Sequence, residues 1–287
     1  MRYSVVAGGT DGLGRAVALD RLAKGDRVVV LGRDRRKRDK LMQAASALGA
    51  GGRLRFIATD LSSMTSISSA IDRIRDDVPR IDALVFCARH YRSERLVTPD
   101  GFEYTFALFY LSRFILGYAL LDRLAAASRP VIVNVAGPGT GTGQIHWDDL
   151  GLANDYHGLT ALSQGGQLND LLGLEFARRF GGTGVRYVLV HPGIVDSGLS
   201  GDYDPQMTAH IAAMRITAQP VEHAVLPILD VIASPPDEPL TAIARGRRLD
   251  LTEFNGIHGP RLFNMTTKLL GHTVFADRDW YRRVSPA

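Results

Sequence analysis

The chain has 287 residues, of which 45% are hydrophobic and 22% are charged, so it is long enough to bury the core of one large α/β domain. Its apolar runs, such as 28–31 and 185–190, have the length of strands and are far too short to cross a membrane. The formal net charge is +4, but acidic residues interrupt the densest basic cluster, 33–40, and we expect no nucleic-acid partner. Cys87 is the only cysteine, which excludes an intrachain disulfide. A strand-like run also begins close to the first residue, so we expect no signal peptide and a cytoplasmic protein.

Strand-like runs alternate with segments of helical periodicity along the whole chain. The predicted strands are Tyr3–Ala7, Val28–Leu31, Leu54–Ala58, Ala83–Phe86, Val131–Ala136, Val185–Val190 and Leu240–Ala244. The predicted helices are Leu13–Lys24, a segment from Met64 to Val78, Gly101–Ala127 and Leu168–Phe180. Strands that are hydrophobic throughout, separated by amphipathic helices, predict a parallel sheet with helices on both faces. We therefore expect one doubly wound Rossmann domain over residues 1–287, with a parallel sheet of about seven strands.

A glycine-rich turn joins the first predicted strand to the first predicted helix. It reads GGTDGLG over residues 8–14. Backbone N–H groups and the positive end of a helix dipole bind phosphate at close range, and side chains would obstruct both. Such a turn alone is weak evidence, but between a strand and a helix it has the position of a dinucleotide-binding loop. The residues expected to contact a dinucleotide there are Gly8, Thr10, Asp11, Gly12, Leu13 and Gly14.

The residue after the second strand favours NADP(H) over NAD(H). NAD-selective sites usually place a carboxylate there to accept a hydrogen bond from the ribose 2′-hydroxyl. This chain has Arg33, whose planar guanidinium suits a 2′-phosphate, with Arg36 and Lys37 close by. Asp34 is expected to cap the following helix. The alternative is that Arg33 is an ordinary surface arginine at a helix start.

Several further segments resemble the short-chain dehydrogenase/reductase family, in particular its retinol-dehydrogenase-like branch. They are Asp60–Leu61, Thr98–Glu103, Gln144–Leu150, Glu175–Arg179 and His191–Val195. The resemblance covers nearly the whole chain and implies a nicotinamide-dependent oxidoreductase that acts on C=O or CH–OH groups. It also implies further cofactor contacts from Asp60, Leu61, Cys87, Ala88, Pro192, Gly193, Val195 and Ser197.

The same resemblance indicates that the catalytic residues of the family are missing. The family uses an asparagine, a serine, a tyrosine and a lysine, and the corresponding residues here are Phe109, Gly137, Leu162 and Gly166. Hydride transfer to a carbonyl develops negative charge on oxygen, which must be stabilised and protonated. None of these four residues can do either with its side chain.

The loss of these side chains also predicts the shape of the pocket. Gly165 and Gly166 together are expected to clear space beside the nicotinamide and leave a roomy, apolar pocket for a large, flat substrate. A different register would align Tyr156 and Thr160 with the family's tyrosine and lysine, but it still lacks a lysine.

Three functions remain open at this stage. The first is an atypical NADPH-dependent ketoreductase of antibiotic biosynthesis, acting on an aromatic polyketide whose own hydroxyl supplies the proton. The chain is similar in this respect to the atypical ketoreductases that act on the 7-oxo group of simocyclinone-type angucyclinones. The second is an NADP(H)-binding pseudoenzyme that serves as a sensor or scaffold. The third is a non-redox cyclase or isomerase on the same scaffold.

Loops at the carboxyl ends of the strands carry the remaining candidates. His90, Tyr91 and Ser93 follow the fourth strand and are candidates to assist catalysis, or they form an exposed polar loop. Segment 197–216 is a candidate substrate lid with Met207, Ile211 and Met214 either on its apolar underside or in the core. His146 and Trp147 are candidates to border the cleft. We expect an aromatic small molecule as partner, no metal and no membrane, and leave open whether the protein is a monomer or a homodimer.

Overall fold

The computed structural model describes residues 1–139, 144–197, 200–250 and 256–284. Its strands are β1 (Tyr3–Ala7), β2 (Arg27–Gly32), β3 (Leu54–Ala58), β4 (Ala83–Phe86), β5 (Tyr91–Arg92), β6 (Val131–Val135), β7 (Arg186–His191), β8 (Gly201–Asp202), β9 (Leu240–Ala244) and β10 (Arg247–Arg248). Eight of them form a central sheet in the order β10-β9-β7-β6-β4-β1-β2-β3, and β5 and β8 form a separate parallel pair. All pairings in the large sheet are parallel except that of β10, the short edge strand, with β9. The predicted Rossmann fold is therefore confirmed, with β10 added at one edge.

Helices cover both faces of this sheet. They are α1 (Gly12–Ala23), α2 (Arg35–Ala47), α3 (Met64–Asp77), α4 (Tyr104–Phe106), α5 (Ser112–Ala119), α6 (Leu121–Ala125), α7 (Gly158–Phe180), α8 (Pro205–Ile216), α9 (Val221–Ala224), α10 (Leu226–Ala233), α11 (Gly259–Leu270) and α12 (Asp279–Val284). Alternate residues of a strand face opposite sides of a sheet, and Leu84 and Val85 of β4 accordingly enter two different apolar clusters. Both faces are buried, which is why these strands are continuous apolar runs.

The long helix predicted over Gly101–Ala127 is interrupted. It begins only at Tyr104, because the Glu103 carboxylate accepts hydrogen bonds from the N–H groups of Thr105 (2.8 Å) and Phe106 (2.6 Å) and caps it. Residues 107–111 form a turn of π-helix, and a second break follows at Leu120. The buried Asn169 side chain donates to the Phe109 carbonyl at 2.8 Å, so this widened turn has a partner outside its own helix.

Helix α7 begins earlier than expected, at Gly158 rather than Leu168. Its first turns are rich in glycine and polar residues, so apolar periodicity did not indicate them. As a result, Leu162 and Gly166 lie four residues apart on one face of a regular helix.

Candidate functional site

A cleft of about 630 Å³ opens at the carboxyl ends of β1, β4, β6 and β7. Open parallel sheets bind ligands in this position, where the strand order reverses, and the volume is typical of ligand pockets. Every residue predicted to contact a dinucleotide lines it: Gly8, Thr10, Asp11, Gly12, Leu13, Gly14, Arg33, Asp60, Leu61, Cys87, Ala88, Pro192, Gly193, Val195 and Ser197. The fold therefore brings residues from five separate segments to one cleft.

The loop between β1 and α1 can be built only with glycine at three positions. Gly8 has φ +80°, and a Cβ on it would lie 2.6 Å from the Ala88 backbone nitrogen. Gly12 has φ +47°, and a Cβ there would lie 2.7 Å from the Ser197 Cβ, while a Cβ on Gly14 would collide with the Gly8 carbonyl. The loop thus leaves a backbone cradle at the N-terminus of α1 that fits a phosphate group.

Arg33 stands at the end of β2 with its guanidinium 5.8 Å from the ring centre of Tyr104. Its Nη1 lies 3.5 Å from the Asp60 carboxylate, and about half of the side chain is exposed to the cleft. Burial opposes the charge of Arg33, but Tyr104 and Asp60 outweigh it and raise the pKa of the guanidinium. A permanent cation therefore faces the cleft at the point predicted for a 2′-phosphate.

Of the charged residues that follow Arg33, Asp34 and Lys37 line the cleft and Arg36 does not. The Nζ of Lys37 lies 2.5 Å from the Asp11 carboxylate. Asp34 accepts a hydrogen bond from the Lys37 backbone N–H at 3.0 Å, which lowers the pKa of its carboxyl group and makes it the N-cap of α2, as predicted.

A buried arginine, which the motif analysis did not single out, supports the floor of the cleft. Arg113 donates to the Val135 carbonyl (3.0 Å) and the Ala88 carbonyl (3.0 Å), and both of these residues line the cleft. It also donates to the Asn134 side chain, and its guanidinium lies 4.4 Å from the ring centre of Phe109. Burial lowers its pKa to about 10, so it stays charged at neutral pH and ties the end of β4 to the end of β6.

The polar loop after β4 is fastened to the segment that precedes α8. His90 Nδ1 lies 2.7 Å from the Ser200 hydroxyl, and Ser93 Oγ accepts from the Asp204 N–H at 2.9 Å. The Tyr91 ring stacks on Tyr203 with centres 5.3 Å apart. His90 and Tyr91 line the cleft, whereas Ser93 does not, and none of the three is fully exposed. A part for these residues in catalysis stays a prediction.

Helix α8 lies over the cleft. Met207, His210, Ile211 and Met214 line the cleft, and no described residue of α8 is buried. Its apolar side chains therefore form an underside that faces the cleft, not part of the core. Residues 198 and 199, at the start of the predicted lid segment, lie outside the described part of the chain.

Two of the residues expected to border the cleft do not line it. The Trp147 ring packs against His258, with centres 5.1 Å apart, and against the Arg261 guanidinium at 4.4 Å. His146 is exposed, and its backbone N–H donates to the Gln164 side chain. Trp147 thus serves packing near α11.

The described ranges contain neither a cluster of metal ligands nor a helix that could span a membrane. No group of three or more His, Cys, Asp or Glu side chains in these ranges is placed to hold a metal ion. None of the helices in them combines the length and apolar character that crossing a bilayer requires.

A sequence profile of the short chain dehydrogenases matches residues 2–148. The chain belongs to the short-chain dehydrogenase family. Members of this family are nicotinamide-dependent oxidoreductases of carbonyl and hydroxyl groups, which fits the glycine cradle and the cleft beside it. The family assignment and the fold predicted from the motifs are therefore confirmed.

Relatives extend this likeness beyond the profile. Retinol dehydrogenase 14 of Mus musculus is 33% identical over 205 residues, which cover 68% of this chain and 61% of the relative. A protein of Streptomyces sp. (strain C5), whose name provisionally assigns it as a daunorubicin C-13 ketoreductase, is 32% identical over 195 residues, with 68% and 66% covered. The chain thus spans about two thirds or less of these relatives' length.

A solved structure shares the fold. The NADPH-bound carbonyl reductase from chicken fatty liver superposes with a TM-score of 0.66 at 17% sequence identity, over 87% of this chain and 98% of that one.

The positions predicted to correspond to the catalytic residues of the short-chain dehydrogenases can now be located. Leu162 lines the cleft, and Phe109 is buried against Arg113. Tyr156 precedes α7 and donates its hydroxyl to the Arg92 carbonyl at 3.2 Å, and it does not line the cleft. The alternative register therefore brings no tyrosine to the site.

The expectation that both glycines of α7 clear space beside the nicotinamide is wrong. A Cβ on Gly165 would lie 2.5 Å from the Phe109 Cδ1, so the Phe109 ring already fills that space. A Cβ on Gly166 would meet nothing within 4 Å, but Gly166 does not line the cleft.

Proposed function

We propose that the chain is an NADP(H)-dependent ketoreductase that reduces a carbonyl on a large aromatic, polyketide-like substrate, as in antibiotic biosynthesis. The observation that carries the proposal is the contrast between the two ends of one cleft. The glycine-loop end, made of residues 8–14 with Arg33, Lys37 and Asp60, is polar and built for phosphate. The α8 end is mainly apolar, lined by Leu159, Leu162, Met207, Ile211 and Met214 with His210 among them.

The glycine-loop end supports NADPH as cofactor in preference to NADH. The N–H groups at the start of α1 would bind the pyrophosphate, and Arg33 would pair with a 2′-phosphate. When bound, NADPH supplies the hydride for carbonyl reduction. The carbonyl reductase of the same fold holds NADPH, which agrees with this assignment.

The α8 end supports a flat, apolar ketone as substrate. Pockets for such ligands are lined mainly by hydrophobic side chains with a few polar groups that fix orientation. The unbranched side chains of Met207 and Met214 can adapt to an extended ring system. One relative is named for ketone reduction on daunorubicin, which supports a carbonyl substrate.

The proton for the new alcohol comes, on this proposal, from the substrate. Leu162, which lines the cleft, is predicted from the sequence to replace the family's tyrosine, and leucine has no hydroxyl to give a proton. A phenol beside the ketone gives its proton to the carbonyl oxygen as the carbon receives the hydride, and water then reprotonates the phenolate. One hydride and one proton convert ketone to alcohol. On this proposal the protein aligns the two reactants, and α8 covers them.

A pair of ketones tests the source of the proton. The probes are 9-hydroxy-3,4-dihydroanthracen-1(2H)-one, whose hydroxyl lies beside its ketone, and the methyl ether of that hydroxyl. We expect NADPH absorbance to fall with the first and at least about 100-fold more slowly with the second, the usual contribution of an acid catalyst. Equal rates would remove the substrate from the proton-donor role. Absence of turnover with both ketones, together with tight NADPH binding by fluorescence, would favour a cofactor-binding pseudoenzyme.

A further inference from the structure

The basic side chains that reach the cleft differ in their partners. Arg33 pairs with Asp60 at 3.5 Å, and Lys37 pairs with Asp11 at 2.5 Å. Arg89 also lines the cleft, but within the described ranges no hydrogen bond or ion pair joins it to another residue. It is a cation in a binding cleft without a counter-charge.

Arg89 lies between the two ends of the cleft. The preceding residue, Ala88, touches the glycine loop at Gly8, and the charged group of Arg89 interacts electrostatically with Tyr203, just before α8, and with His191. The side chain is accessible to solvent in the cleft, although surrounding protein atoms lower its pKa because burial disfavours the cation.

No carboxylate lines the α8 end of the cleft among the described residues. The acidic residues that line the cleft are Asp11, Asp34 and Asp60, and all three belong to the segments around the glycine loop and β2. Asp202 lies close by but is engaged with Arg92 at 2.6 Å and with His90 at 3.5 Å. An anionic ligand at the α8 end would therefore supply Arg89 with a counter-charge that no described cleft residue supplies there.

We propose that Arg89 binds the oxygen of a phenol or enol adjacent to the reacting ketone and stabilises the anion that forms when this group gives up its proton. This inference rests on the proposed function and narrows its substrate class. A guanidinium pairs strongly with oxygen anions where water is excluded, and an unpaired cation in such a place gains most from a ligand that supplies the charge. Arg89 would then stabilise the phenolate that remains after the phenol has given its proton to the alkoxide. The cofactor phosphates have their own donors in the glycine loop, so Arg89 is left for the substrate.

Binding of two naphthoquinones tests this assignment without turnover. The probes are 2-hydroxy-1,4-naphthoquinone, an anion at neutral pH, and the uncharged 2-methyl-1,4-naphthoquinone, both titrated by calorimetry into protein saturated with NADP⁺. We expect the unsubstituted protein to prefer the anion, and Arg89→Met to weaken the anion at least about tenfold while leaving the neutral quinone and NADPH unchanged. Arg89→Lys should restore part of the preference.

The matched control is Arg27→Met, because Arg27 is exposed at the start of β2, at the opposite edge of the sheet. This control should bind both quinones like the unsubstituted protein. Three results would overturn the inference: no preference for the anion, a preference that survives Arg89→Met, or a loss of NADPH affinity in Arg89→Met, which would assign Arg89 to the pyrophosphate. Arg89-dependent anion binding without any ketone reduction would instead overturn the proposed function and leave the inference standing.

Discussion

The two ends of the cleft differ in how strongly the structure restricts which residues can occupy them. At the glycine-loop end the backbone itself is the binding surface, and a single added Cβ at Gly8 or Gly12 meets Ala88 or Ser197 at less than 3 Å. At the predicted position of the family's lysine, Gly166, an added Cβ would meet nothing within 4 Å. A site made of backbone therefore tolerates little change, whereas a site made of side chains can lose its chemistry while the fold persists. This difference would explain how an intact phosphate cradle and the predicted loss of the acid can occur in one protein.

The largest expected effect comes from breaking the glycine-loop end. Gly12→Ala places a Cβ 2.7 Å from the Ser197 Cβ on a residue with φ +47°, so we expect NADPH affinity to fall about 100-fold, roughly 3 kcal/mol. Fluorescence titration measures the affinity of each variant for NADPH. Gly25→Ala is the control, since Gly25 also has positive φ (+90°) but has open space around it at the far end of α1. Equal weakening in both variants would mean that backbone strain, and not the cradle, is responsible.

The next effect concerns Asp170, a partly buried carboxylic acid of α7. Asp170 lies one turn beyond Gly166; its Oδ2 accepts weakly from the Gly139 N–H at 3.4 Å, and its Oδ1 is buried without a hydrogen-bond partner in the described part of the chain. Burial raises its pKa from 3.8 to about 7. The folded state thus holds the proton more tightly than the unfolded state, so this group costs no stability below about pH 4 and its full penalty applies above about pH 7.

Asp170→Asn removes that penalty. A rise of about three pKa units corresponds to roughly 4 kcal/mol, and solvent contact of the partly exposed side chain reduces this. We expect the variant to be more stable than the unsubstituted protein by about 2 kcal/mol at pH 8 and equally stable at pH 4, measured by urea unfolding. Asp148→Asn, at an exposed position, should change neither value. A variant that is less stable at pH 8 would show that the ionised carboxylate has a stabilising partner.

Cofactor preference gives a smaller effect, which sharpens the account of the glycine-loop end. Arg33 is half exposed, so its contribution is moderated by solvent. We expect Arg33→Met to weaken NADPH about tenfold and to leave NADH unchanged, because only NADPH carries the 2′-phosphate. Arg36→Met, one turn away and outside the cleft, should alter neither affinity. If NADPH and NADH bind the unsubstituted protein equally, Arg33 has no such role.

The two glycines of α7 provide the smallest test and oppose each other in sign. Gly166→Ala adds a methyl group in open space and improves helix propensity, so we expect a gain of about 1 kcal/mol and a rise in Tm of about 3 °C. Gly165→Ala should lower Tm, because its Cβ would lie 2.5 Å from the buried Phe109 ring. Thermal unfolding of both variants gives the two changes in Tm. Changes of the same sign would contradict the packing described for Phe109.

Local pattern was sufficient for the strands and the cofactor loop. Tyr3–Ala7, Leu54–Ala58, Ala83–Phe86 and Leu240–Ala244 have the predicted bounds, because each is a short, mostly apolar run. The glycine spacing similarly reports a backbone requirement that is local to one turn.

The remaining features depend on contacts between distant residues. The break in the helix at Phe109 involves Asn169, and the pairing of His90 with Ser200 joins positions 110 residues apart. The two-residue strands β5 and β8 are too short to carry any periodicity. The lack of a carboxylate partner for Arg89 among the described residues likewise depends on tertiary contacts, because Asp60 pairs with Arg33 and Asp202 pairs with Arg92.

The segment between β7 and α8 has a kinetic consequence. It touches the glycine loop where Ser197 meets Gly12, and further along it joins β5 through β8. On the proposal that α8 is a lid, lifting of that helix alone would release a ligand beneath it, whereas release of a dinucleotide from the glycine loop would also require the contact of Ser197 with Gly12 to open. We therefore expect ordered addition, in which the nucleotide enters first and departs last.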